Sequence, residues 1–171
     1  MIAFLRFLSI ANVAVWFGAA VFTVVALPAV FSGDSARYLQ SHAGFAAEAI
    51  MGRYFILQYC CAAIALIHLA IEWLYLGRSS RRFTVGLLIG LACIGLLGGL
   101  VAQPQIHQLY LLKNWSNNIQ AKALAAKSFR IWHAGSEVAN LLVVVGLVVY
   151  LWRIVKSADS SRFVGSTKIR S

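Results

Sequence analysis

Four long stretches of the chain carry almost no charge, and arginine, lysine or a polar cluster stands at most of their ends. Residues 7–31 form the first. At 1.5 Å of rise per residue this stretch crosses the roughly 30 Å of bilayer hydrocarbon with some tilt. It exceeds the roughly 7 to 15 residue apolar core of a cleaved signal peptide, so it reads as a mature helix. Residues 54–76, 83–102 and 131–152 are the second, third and fourth spans. The pattern predicts an all-α integral membrane four-helix bundle occupying residues 1–156.

The connections are patterned too. Residues 34–51 are too polar to span, yet Tyr38, Leu39, Phe45, Ala46, Ala49 and Ile50 recur at three and four residue intervals, which predicts an interfacial amphipathic helix. Pro104 should end span three, and "NWSNNIQAKALAAK" after it can form a second surface helix capped by Ser116 or Asn117. The tail, residues 157–171, is basic and serine-rich, the composition of a disordered segment.

Polar residues inside the spans carry the chemistry, because an unpaired polar group in hydrocarbon costs several kcal/mol. On span two, Tyr54, Gln58, Cys61, Ala65, His68 and Glu72 follow alternating steps of four and three, which places them on one face. On span four, Arg130, His133, Glu137 and Asn140 do the same, with Ser136 beside them. The two stripes are expected to meet across the bundle. Spans two and four run in the same direction, so depth sorts these residues into two clusters. From Tyr54 to His68 is about 21 Å of helix, whereas His133 lies at the start of its span. One cluster gathers Arg53, Tyr54, Gln58, Gln103, Gln105, His107, Arg130, His133, Ser136, Glu137 and Asn140, with His42 in reach. The other holds Arg6, Asn12 and the pair His68 and Glu72, at i and i+4. In span three, Gly86 and Gly90 lie on one side and Gly95 and Gly99 on nearly the opposite side, so neighbours can approach it closely on both.

Composition agrees with the pattern. The 171 residues are 61% hydrophobic and 12% charged, far from a soluble domain. The net charge of +10 comes from arginines and lysines at span ends, where they meet lipid headgroups, and no nucleic-acid motif accompanies it. If the N-terminus is cytoplasmic, that side holds Arg6, Arg78, Arg81, Arg82, Arg153, Lys156, Arg162, Lys168 and Arg170. The other side holds Arg37, Arg53, Lys113, Lys122, Lys127 and Arg130. Nine against six predicts both termini inside. Cys60, Cys61 and Cys93 all fall in apolar runs, as buried thiols rather than a disulfide framework.

"WFG" at residues 16–18, "PAVF" closing span one, "GRYF" opening span two, "AQPQ" closing span three, and Phe129, His133, Ser136, Asn140 and Leu141 resemble the transmembrane protein 205-like family. The resemblance covers nearly all four spans, and H-x-x-S-x-x-x-N-L is its specific element. It implies a four-helix membrane protein without established catalysis, with His133, Ser136 and Asn140 as the transferred candidate site. Gln103 and Gln105 flank Pro104 where some members carry charge.

Three functions fit these residues. The first is a non-enzymatic membrane protein whose cluster of His133, Ser136, Glu137, Asn140, Arg53, Gln103, His107 and Arg130 binds a small polar ligand, a lipid headgroup, or a partner helix from another protein or a second copy. No cofactor is predicted in that reading. The second is a haem or metal protein with His42, His107 and His133 as ligands, since imidazole suits copper, zinc and iron. No C-x-x-C-H or H-E-x-x-H motif supports it. The third, a membrane enzyme with Ser136 as nucleophile and His133 as base, lacks the G-x-S-x-G elbow.

Overall fold

The computed structural model describes residues 2–31, 43–76 and 82–166. They form α1 (Ile2–Phe31), α2 (Ala43–Leu76), α3 (Arg82–Leu97), a π-helical turn (Gly98–Ala102), α4 (Gln103–Trp115) and α5 (Ile119–Ser166). Four helical stretches are long and apolar enough to cross a membrane: Phe4–Ala29, Phe45–Leu74, Arg82–Trp115 and Ile119–Lys156. The protein is therefore all-α, with the bilayer as its setting.

The helices pack as a ring. α1 lies against α2 and α5, and α3 lies against the same two neighbours. Among the described residues, neither α1 and α3 nor α2 and α5 pack extensively on each other, so each pair sits on a diagonal. Val13, Trp16 and Ala20 of α1, Tyr54, Gln58, Cys61 and Ala65 of α2, Leu88 and Leu91 of α3, and Val143, Leu147 and Tyr150 of α5 fill the interior. Their three and four residue spacing gives each helix one inward stripe. The remaining faces expose Phe22, Val25, Ile67, Leu97, Leu100 and Val145. Lipid chains meet that apolar belt.

The described helices outrun the expected spans. Ile119–Lys156 covers 38 residues, or about 57 Å, nearly twice the hydrocarbon thickness. The excess lies at one end, where the polar, lysine-bearing α4 packs against the start of α5 as a helical hairpin. We refer to this as the hairpin end, and to the opposite end as the termini end. The expected surface helices are not separate elements. Residues 43–51 are the first turns of α2, while residues 34–42 lie outside the described residues. Residues 119–127 are the first turns of α5.

Pro104 does not end the third helix. It has no N–H for the carbonyl of Leu100, and its ring crowds that turn. The wider π turn over Gly98–Ala102 absorbs the mismatch, with Gln103 N–H donating to the Gly98 carbonyl, and the helix continues to Trp115. The hairpin turn is capped at Asn118 rather than at Ser116 or Asn117. Asn118 Oδ1 accepts from the backbone N–H groups of Gln120 at 2.9 Å and Ala121 at 3.3 Å. Ser116 Oγ accepts from Asn118 N–H at 3.2 Å, tightening the turn before the cap.

Glycines set the α2–α3 seam. A Cβ at Gly95 would lie 2.7 Å from Gln58 Nε2, and one at Gly98 would lie 2.8 Å from Phe55 Cε1. Gly99 faces Tyr59 and Phe55 just as closely. Gly86 and Gly90 meet no neighbouring atom, so only one of the two expected close approaches is used within the described chain.

Candidate functional site

At the hairpin end the polar residues of the spans separate into two places. The first is a cleft of about 400 Å³ between α2 and the α3–α4 junction, lined by Phe45, Glu48, Ala49, Gly52, Arg53, Ile56 and Gln103. Residues 45, 49, 52 and 56 follow helical spacing, so they form the α2 wall, and Gly52 keeps that wall low opposite Gln103. A Cβ there would lie 3.7 Å from Gln103 Nε2. One turn beyond Gln103, His107 Nδ1 stands 2.8 Å from Glu48 Oε2, and its ring packs edge-on to Phe45 with centroids 6.5 Å apart. This contact ties α4 to α2. Arg53 is exposed at the rim and makes no ion pair among the described residues.

The second place is a groove of about 320 Å³ between α1 and α5, lined by Thr23, Val24, Pro28, Glu137, Val138, Asn140 and Leu141. His133 stands one turn away on α5, its Nε2 3.3 Å from Glu137 Oε1. Its ring stacks on Phe129 at 5.6 Å between centroids. Tyr110 and Lys113 of α4 pack on the same Phe129 ring, with Lys113 Nζ 5.2 Å from its centroid. Phe129 thus fastens the hairpin.

The stripe of Arg130, His133, Glu137 and Asn140 does not face the bundle interior. Arg130, His133 and Glu137 are exposed and Asn140 is half-buried, because the inward face of α5 is set by Val143, Leu147 and Tyr150. Since α2 and α5 sit on a diagonal, the two polar stripes do not meet. Glu137 pairs with His133 rather than with Arg130 or Arg53. Ser136 Oγ donates to the His133 carbonyl at 2.7 Å, while His133 Nε2 faces Glu137, so the nucleophile and base contact is not formed.

Midway through the bundle, Asn12 Nδ2 donates to the Cys61 carbonyl at 2.9 Å, across to α2. His68 Nε2 is buried with no hydrogen-bond partner, and no ion pair joins His68 to Glu72 among the described residues. His42 lies outside the described residues. Among the described residues no three His, Cys, Asp or Glu side chains come together with metal-binding geometry: His107 is engaged by Glu48, and His133 by Glu137. Glu48 is the residue missing from the sequence-based site. In the sequence it falls in the stretch expected to be a separate surface helix, and nothing in local spacing points from it to His107.

No curated protein and no solved structure matches the chain. Residues 12–114 match the domain of unknown function DUF4149. The cleft lined by Glu48, Gly52, Arg53 and Gln103, and the His107 beside it, lie wholly within that stretch, whereas the α5 wall of the groove lies beyond it. The match spans more than half of the sequence, and the chain, with four helices able to cross a membrane, belongs to the DUF4149 family of domains of unknown function.

Proposed function

We propose that this is a non-enzymatic membrane protein that binds an anion-bearing polar group, a lipid phosphate or a small acidic solute, in the cleft at the hairpin end. The observation that carries the reading is the exposed Arg53 on the rim of a cleft whose opposite wall supplies the Gln103 amide. Arginine offers a planar fork of donors to phosphate or carboxylate, and the amide of Gln103 adds a further donor. Glu48 Oε2 in the same cleft is held 2.8 Å from His107 Nδ1. The cleft also lies where α2 and α3 leave the hydrocarbon, at the depth of headgroups. The resemblance to the transmembrane protein 205-like family belongs to this reading, and it adds His133, Ser136 and Asn140 as residues beside a second polar surface.

Binding tests the proposal. The full chain in phosphatidylcholine nanodiscs is expected to retain added phosphatidylglycerol or to bind inorganic phosphate, and the two additions tell a lipid source from a soluble one. Arg53→Gln should weaken whichever binds by about 10 to 100-fold, the worth of a charge-assisted hydrogen bond. Lys156→Gln, at the termini end, should leave it unchanged. Equal binding by wild type and Arg53→Gln would remove the cleft from consideration.

We also infer that both termini are cytoplasmic, on the nine-to-six excess of basic residues. A topology reporter fused after Ser171 should read as inside. An outside signal reverses the orientation and leaves the cleft geometry untouched.

A further inference from the structure

We propose that the α1–α5 groove receives the primary ammonium group of a membrane lipid with an ethanolamine headgroup. The groove has mostly apolar walls, and its polar lining, from Thr23, Glu137 and Asn140, offers hydrogen-bond acceptors. Pro28 lies inside α1 and has no N–H to give the carbonyl of Val24, which lines the groove. Thr23, itself 7% exposed, spends its hydroxyl hydrogen on the Ala19 carbonyl at 2.9 Å and keeps only lone pairs for a ligand. Asn140 adds an amide oxygen. Glu137 adds a carboxylate, of which Oε1 faces His133 and Oε2 remains. Carbonyl, hydroxyl, amide and carboxylate oxygens around one space call for a cation that donates hydrogen bonds.

The size and surroundings select the kind of cation. A volume of about 320 Å³ is far larger than a bare metal ion needs, and suits an organic headgroup. No aromatic ring lines the groove, so a quaternary ammonium finds neither a cation–π cage nor a use for the acceptors. Depth makes lipid the source. Counting from Arg153, Glu137 lies sixteen residues, or about 24 Å, along α5, which is within the hydrocarbon layer near its hairpin-end boundary. Val138 and Leu141 beside it are 59% and 52% exposed, an apolar border against which acyl chains lie. An ammonium headgroup enters from the boundary with its chains alongside α5. This site is independent of the Arg53 cleft, and its test does not involve that residue.

The full chain in phosphatidylcholine nanodiscs doped with phosphatidylethanolamine is extracted and its retained lipids are counted by native mass spectrometry. Phosphatidylethanolamine should be enriched about tenfold over phosphatidylcholine, the value of one charge-assisted hydrogen bond. On the unmodified chain, N-methyl and N,N-dimethyl headgroups should fall stepwise between the two as N–H donors are lost. Glu137→Gln and Asn140→Leu should each bring the ratio close to one. Equal retention of the two lipids, a flat methylation series, or full enrichment in Glu137→Gln would overturn the proposal. Displacement of no lipid but stabilisation by soluble ethanolamine would overturn the lipid source.

Discussion

Replacing Gly95 with leucine is expected to abolish assembly of the bundle at ordinary temperature, and Gln58→Ala in the same chain is expected to restore much of it. A Cβ at Gly95 falls 2.7 Å from Gln58 Nε2, 2.9 Å from its Cδ and 3.3 Å from its Cγ. That is overlap with most of a side chain. Gln58 is 2% exposed and sits between Tyr54 and Cys61 on the inward stripe of α2, so it has no outward rotamer to take. The backbones cannot part either, because Gly98 and Gly99 hold Phe55 and Tyr59 against the same seam one turn away. Inserting side-chain atoms into a filled interior costs about 1 to 3 kcal/mol where neighbours yield, and more where they do not. Total stabilities of about 5 to 15 kcal/mol leave little room for that. Melting of wild type, Gly95→Leu, Gln58→Ala and the double variant in one detergent measures the coupling. Additive losses would show that the two residues are not in contact.

The Gly95 and Gln58 contact is partly legible in the sequence. The spacing of Tyr54, Gln58, Cys61 and Ala65 requires a shared face, and these four residues are buried together. Gly95 and Gly99 mark a close approach because small residues are what such an approach needs, and the structure places α2 there. Periodicity says which residues share a face but not what that face meets. Arg130, His133, Glu137 and Asn140 share one as cleanly as the α2 stripe, yet the ring order puts α2 on the diagonal, and Val143, Leu147 and Tyr150 take the inward position. The hairpin is hidden in the sequence for a related reason. A polar helix running straight out of the membrane has the composition of a loop, and Pro104 reads as its end until the π turn is seen to carry the chain past it. The Glu48–His107 pair joins residues far apart in sequence, so no local spacing marks it.

Gln58→Met is expected to raise stability, the opposite sign from the substitution at its neighbour. Both amide atoms of Gln58 are buried without a hydrogen-bond partner among the described residues, as are the Tyr54 hydroxyl and the Trp16 indole Nε1. The bond from Asn12 to the Cys61 carbonyl fixes the antiparallel register of α1 and α2, and one turn along each helix brings Trp16 to the level of Gln58. These groups therefore belong to one polar layer inside the hairpin half of the bundle. An unpaired buried polar group costs about 1 to 3 kcal/mol, and a bilayer supplies no solvent to relieve it. Methionine keeps the length that fills the space over Gly95 and removes both polar atoms, so a gain of about 1 to 3 kcal/mol follows. A higher melting temperature for Gln58→Met, beside an unchanged one for Ile67→Met on the lipid face, would show that the layer weakens the fold and is kept for something other than assembly. A lower one would show that the amide is bonded, and the partner would have to be buried water held between Trp16, Tyr54 and Gln58.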